Sequence, residues 1–164
     1  MSAIKISNLQ YVWPESDTPI IDIPALEIEL RGSVFLQGAS GSGKSTLLSL
    51  LAGTLKASSG TLQILGTDLT SLSSRRRDRF RAEHIGIVFQ QFNLIPFLTV
   101  EGNLKLASRF VNQSASGTEV RAKQLLESLR LDSAILERRA DRLSVGQQQR
   151  VAIARAFINQ PEIL

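Results

Sequence analysis

The sequence contains no cysteine, one histidine and few aromatic residues, and each scarcity removes a class of function. Without cysteine there is no disulfide framework and no thiolate metal site. Apolar stretches such as Ile85–Phe89 and Leu47–Ala52 fall far short of the ~20 apolar residues that a bilayer span needs. The N-terminal Met1-Ser2-Ala3-Ile4-Lys5-Ile6 enters directly into alternating apolar and polar residues. It shows no charged leader ahead of an apolar block and cleavage site, so a cytosolic address is expected. Internal repeats and low-complexity tracts are also absent.

What remains is the balance of a soluble globular chain, 43% apolar and 21% charged over 164 residues, which is enough for one domain with a sizeable core. The net charge of +4 gathers in Arg75-Arg76-Arg77, Arg79 and Arg81. A single aromatic, Phe80, lies within that run, with no others at stacking intervals, so the run is expected to be a solvated helix face, with no nucleic acid as partner.

Alternation around Ile4, Ile6, Leu9, Tyr11 and Trp13, and again over Leu26–Leu30, predicts two antiparallel strands joined through Pro14–Pro24. Ser33–Gln37 has no polar face and reads as a strand buried on both sides, as does Ile85–Phe89. Thr61–Leu65, bracketed by glycines, is a further strand. From about Gln91 helical signals dominate to Asn159. Thr99 and Ser144 are candidate caps, Ser116 with Glu119 has the reciprocal capping spacing, and Pro161 is a stop. Asn112–Gly117 is the most loop-like segment.

Gly38-Ala39-Ser40-Gly41-Ser42-Gly43-Lys44-Ser45-Thr46 is a complete phosphate-loop pattern between an apolar run and a helix carrying Leu47, Leu48, Leu50 and Leu51. Its glycines permit positive φ and let backbone N–H groups close around an anion at the positive end of the helix. Lys44 is suited to the β and γ phosphates, Ser45 to Mg²⁺ and Thr46 to the α phosphate, which makes ATP the expected ligand. Gln90, at the end of the Ile85–Phe89 run, is placed to ligate Mg²⁺ or a metal-bound water, or is simply a polar strand end. Ser144-Val145-Gly146-Gln147 opens a helix and offers a second anion-seeking N-terminus, or an ordinary capped helix.

In this order and approximate spacing, the residues resemble the ATP-binding cassette of ABC proteins, over the entire chain. Gly38–Thr46 resembles the Walker A motif, Gln90 the Q-loop and Leu143–Gln147 the signature motif, with Val145 where glycine is commonest. Trp13 lies where the family stacks an aromatic on adenine, with Tyr11 the competitor if the loop is shifted. Gly86–Pro96 and Thr99–Asn103 are similar to cassettes of lipoprotein-release and macrolide-export systems, and some amino-acid importers read similarly.

The resemblance implies an α/β P-loop NTPase, with a RecA-like parallel core, an N-terminal antiparallel β subdomain and an inserted helical subdomain. Residues 1–90 would hold the β subdomain and the first part of the core, 91–159 the helical subdomain, and 160–164 the start of the Walker B strand. It also implies an ATP-binding transporter subunit on the inner face of the cell membrane. There it would pair with a second cassette, whose ATP meets Ser144–Gln147, and dock on membrane permease subunits near Gln90–Asn103. The Walker B carboxylates and the switch histidine have no counterpart here. His84 precedes the Q-loop strand, and Glu162 comes before the strand where a water-polarising carboxylate would end it. A non-hydrolysing fragment that lacks the C-terminal part of the core and is poorly stable alone is therefore expected. A non-transport cassette and a non-catalytic ATP-binding module are the other readings.

Overall fold

The computed structural model describes residues 2–111 and 115–164, which divide into two compact units, Met1–Asp78 and Arg79–Leu164. In the first unit, β1 (Ser2–Tyr11) pairs antiparallel with β2 (Ile21–Glu29) on one side and β3 (Ser59–Ile64) on the other, and β4 (Thr67–Asp68) extends the sheet. The cross-strand pairs Ile4↔Ile64 and Ile6↔Leu62 bury one face. A register shift between Ser7 and Gln10 moves the buried positions from Ile4 and Ile6 to Leu9 and Tyr11, which accounts for the change of phase in the sequence alternation. β2 begins earlier than the alternation over Leu26–Leu30 indicates and includes Pro24. An edge strand tolerates proline because one of its sides makes no ladder bonds.

The helix α1 (Lys44–Leu51) buries Leu47 and Leu50 and ends at Gly53, whose φ of 70° turns the chain. The segment before it differs from expectation. Ser33–Gln37 forms no strand, and Val34, Phe35 and Leu36 are exposed, Phe35 at 86%. No described strand lies beside this segment, and an apolar run without a hydrogen-bonding neighbour has neither a ladder nor a face to bury.

α2 (Ser74–His84) carries the arginine run largely on solvated positions, as its composition predicts, with Arg79 paired to Glu83 one turn on. The second unit is then a helical cluster of α3 (Val100–Ser108), α4 (Ala115–Ser128) and α5 (Val145–Phe157), with two short 3₁₀ turns between α4 and α5. Val100 and Leu104 of α3 meet Leu126 of α4 and Val151 and Ala154 of α5 in its core, on the three- and four-residue spacings that set one helix face inward. Thr99 caps α3 by accepting from the Gly102 N–H. α4 begins at Ala115, so Ala115–Gly117 is helical rather than loop and Ser116 lies inside the helix. The Ser116 side chain and residues 112–114 lie outside what is described.

Ile85–Phe89 also departs from the buried strand expected of it. Only Ile85 forms a bridge, parallel to Ile163, closed by Gly86 N–H to Ile163 O at 2.8 Å and Ile163 N–H to His84 O at 3.1 Å. Beyond it Val88 and Phe89 are each 43% exposed, because no further described strand continues the pairing. The same contact sets His84 Nδ1 3.1 Å from Glu162 Oε2.

A Cβ on Gly86 would lie 2.6 Å from the Ala156 carbonyl oxygen and 2.9 Å from Pro161 Cγ, and the first of these is backbone that cannot rotate away. Gly86→Ala is expected to lower stability by about 1–3 kcal/mol, read as a shift of the urea midpoint at unchanged slope. Phe35 generates a second expectation. Phe35→Lys should raise the monomer fraction of residues 1–164 in light scattering without changing the far-UV spectrum, since the exposed extended segment favours association. A wild-type chain that stays monomeric at tens of micromolar would contradict it.

Candidate functional site

Gly38–Thr46 is built almost wholly from backbone. Ser42 N–H closes a turn on Ala39 O at 3.3 Å, and Gly41 and Gly43 take φ of 81° and 86°, a region that side chains disfavour. At Gly43 space is also short, since a Cβ would lie 2.9 Å from Ile21 Cδ1 and 3.0 Å from the Ile20 carbonyl oxygen. Gly43 is the N-cap of α1 and offers no side-chain acceptor to the first-turn N–H groups. The Lys44 ammonium folds back over the loop and donates to Gly38 O at 2.7 Å and Ala39 O at 2.6 Å. Ser45 is exposed on the first helical turn and Thr46 is half-buried. The result is a helix N-terminus without a side-chain cap, preceded by a glycine turn and with an ammonium folded against the loop, an arrangement suited to a polyphosphate.

The end of the β1–β2 hairpin adjoins this loop. Ile20 N–H donates to Tyr11 O at 2.9 Å, and the Ile20 carbonyl is the group that crowds Gly43. From the same hairpin end Trp13 emerges 45% exposed, held edge-on to Tyr11 with ring centroids 5.0 Å apart. Tyr11 is itself buried, at 8% exposure, in the sheet's core face. Of the two aromatic candidates, only Trp13 presents a face of useful area to a planar ligand.

In the second unit, Gln90 and Gln91 form the corners of a turn closed by Phe92 N–H on Phe89 O at 3.1 Å. Phe92 and Asn93 follow with φ of 58° and 49°. A left-handed conformation costs roughly 1 kcal/mol at a residue such as Phe92 and less at Asn93, whose type enters that region more readily. Arg155 of α5 binds both carbonyls, Nη2 on Phe92 O at 2.7 Å and Nη1 on Asn93 O at 2.5 Å. Further along, the buried Asn103 side chain accepts from Ile95 N–H at 2.8 Å and donates to Ile95 O and Thr99 O at 3.1 and 3.0 Å. Neither Arg155 nor Asn103 is singled out by motif reading as a structural partner of Gln90's loop. The available signal was Arg155 itself, a charge among the small apolar residues Ala152, Ala154 and Ala156.

Ser144 caps α5 with a reciprocal box. Its hydroxyl accepts from Gln147 N–H at 3.3 Å while Gln147 Oε1 accepts from Ser144 N–H at 3.0 Å. Val145 is 71% exposed, and a Cβ on Gly146 would meet nothing within 4 Å, so this first turn is open to a flat or bulky neighbour. Among the described residues no cluster of three or more His, Cys, Asp or Glu side chains could hold a metal. The Ser45 hydroxyl of the first unit and the Gln90 amide of the second are each hard oxygen donors, of the kind that suits Mg²⁺ in company with phosphate oxygens. No described helix is long and apolar enough to cross a membrane.

The family model described as ABC transporter matches residues 22–164. An uncharacterized ABC transporter ATP-binding protein of Mycobacterium tuberculosis is 42% identical over 98% of the chain, and the chain spans 65% of that relative's length. The macrolide export ATP-binding/permease protein MacB of Shigella flexneri is 34% identical over 98% of the chain, which covers 25% of it. Among solved structures, a dimeric post-hydrolysis state of the ATP-binding cassette MJ0796 bound to ADP and Pi superposes with a TM-score of 0.84 at 35% identity. That match covers 96% of this chain and 70% of the other. With its phosphate loop, its antiparallel N-terminal sheet and these matches, the chain belongs to the ABC transporter family and is an ATP-binding cassette of the α/β P-loop NTPase fold.

Proposed function

We propose that this chain is the ATP-binding part of an ABC transporter subunit, coupling ATP binding and hydrolysis to movement of a solute across a membrane. The observation that carries the reading is the Gly38–Thr46 loop, with its left-handed glycines, uncapped α1 N-terminus and inward-folded Lys44. Gly38, Ala39, Ser40, Gly41, Ser42 and Gly43 would receive the phosphates through backbone N–H groups, with Lys44 moving from carbonyl to phosphate oxygens. Thr46 would donate to the α phosphate, and Ser45 and Gln90 would supply oxygen ligands for Mg²⁺. A bound Mg²⁺ supplies neutralisation of phosphate charge during phosphoryl transfer. Trp13 would stack on adenine, a role its exposure supports over the buried Tyr11.

Ser144, Val145, Gly146 and Gln147 would meet the nucleotide of a second cassette, so that ATP joins two copies and hydrolysis parts them. The dimeric form of the MJ0796 cassette supports this pairing, and the name of MacB supports a membrane permease as the coupled partner. The subunit would then lie peripherally on the cytoplasmic face of a membrane. Residues 1–90 would form the β subdomain and first part of a RecA-like parallel core, 91–159 the helical subdomain and 160–164 the start of the Walker B strand. No residue within 1–164 is assigned as catalytic base, so these residues alone are expected to bind ATP without turning it over.

Lys44→Ala in the protein that carries this chain should weaken ATP binding by roughly 10- to 100-fold, the loss expected for charged hydrogen bonds to phosphate. Calorimetry giving an affinity within threefold of wild type would count against the phosphate-loop reading. Trp13→Ala should weaken ATP by about fivefold or more, with Trp13→Tyr largely restoring it and Tyr11→Phe neutral, because only a stacking face matters. Equal sensitivity to GTP, ATP and inorganic triphosphate across these variants would remove the base-stacking role.

A further inference from the structure

The turn that presents Gln90 is held only in part by its own backbone. Its backbone closes on itself twice, Phe92 N–H to Phe89 O at 3.1 Å and Asn93 N–H to Gln91 O at 2.6 Å, and Phe92 and Asn93 sit in a region that non-glycine backbones avoid. Beyond these local bonds, a guanidinium 62 and 63 positions away in sequence binds the two consecutive carbonyls of Phe92 and Asn93 and opposes their relaxation. Arg155 makes these bonds from a stretch of α5 whose Val151, Ala152, Ala154 and Ala156 are buried, so its anchor moves only with the helix. Burial lowers the arginine's pKa from its ordinary value, and among the described residues no carboxylate pairs with it. Its charge therefore serves the two carbonyls, a role the nucleotide site as drawn above does not use.

We propose that Arg155 is a positioning residue for Gln90, holding Phe92 and Asn93 left-handed so that the Gln90 turn is fixed to the helix opened by Ser144. This rests on the reading of Gln90 as the residue that senses the metal and phosphate. Through Arg155, rotation of α5 about the Ser144 end is transmitted to the Gln90 backbone, and rearrangement at Gln90 is transmitted back. The forked guanidinium suits two neighbouring carbonyls, but an ammonium can also serve a pair, as Lys44 does on Gly38 and Ala39. Lysine should therefore rescue in part where an apolar chain of similar length does not.

The test is ATP turnover by the protein that carries this chain, with Arg155→Met, Arg155→Lys, Gln90→Ala and Arg77→Met compared. Arg77 is the matched control, since it donates to Leu72 O at 3.0 Å and Gly53 O at 3.4 Å in the first unit. Arg155→Met should lower kcat about tenfold or more and raise the Mg²⁺ concentration at half-maximal rate, with ATP affinity within about threefold of wild type. Arg155→Lys should fall between, and Arg77→Met should leave kcat unchanged. If Arg155→Met fails to fold, the intermediate kcat and raised Mg²⁺ midpoint of Arg155→Lys carry the test. Loss of kcat in strict proportion to loss of folded protein, or equal losses in Arg77→Met, would overturn the role. An unimpaired Gln90→Ala would overturn the reading of Gln90 and this proposal with it. An impaired Gln90→Ala beside unimpaired Arg155 variants would overturn the proposal alone.

Discussion

An α-helix cannot satisfy its own first N–H groups, and at the start of α1 no side chain does so. The contrast with α3 and α5 makes the point, because Thr99 and Ser144 cap those helices with hydroxyl oxygens. At α1 the N-cap is Gly43, in a conformation disfavoured for other residues and in a space that Ile20 and Ile21 close to a side chain. A polar cap there would compete with any anion for the same donors. The hairpin that supplies Ile20 and Ile21 therefore does more than build a sheet. It excludes the residue types that would neutralise the site, and it places Trp13 at the neighbouring hairpin end.

The second unit applies the inverse rule, with side-chain donors gripping backbone carbonyls. Asn103, buried in the helical core, satisfies both polar groups of Ile95, and Arg155 satisfies the carbonyls of Phe92 and Asn93. Irregular chain packed against a helical core is costly unless its polar groups are paired, so each such side chain stabilises loop and core together. The four residues from Phe92 to Ile95 are thus held from two helices, α3 and α5, although they belong to neither.

The phosphate loop was legible because its chemistry is local. Nine consecutive residues contain the glycines, the lysine and the hydroxyls, and their conformation follows from residue type. Caps were legible for the same reason, as Thr99 and Ser144 illustrate. Ser33–Gln37 and most of Ile85–Phe89 were not, because apolar composition signals a tendency to pair but cannot supply the partner strand. The register shift behind the change of phase in β1 was not legible either, because a bulge is a property of two strands. Arg155 was illegible as a partner of the Gln90 turn because the carbonyls it binds lie more than sixty positions away, and nothing at Phe92 or Asn93 announces a left-handed backbone.

The two units thus differ in how their candidate residues are supported. The α1 cradle depends on glycine torsions and on a hairpin already paired along its length, so it can persist through disturbance elsewhere. The Gln90 turn depends on α5 being formed, packed through Val151 and Ala154, and in register with Phe92 and Asn93. Any event that loosens α5 therefore acts on the Gln90 turn through Phe92 and Asn93.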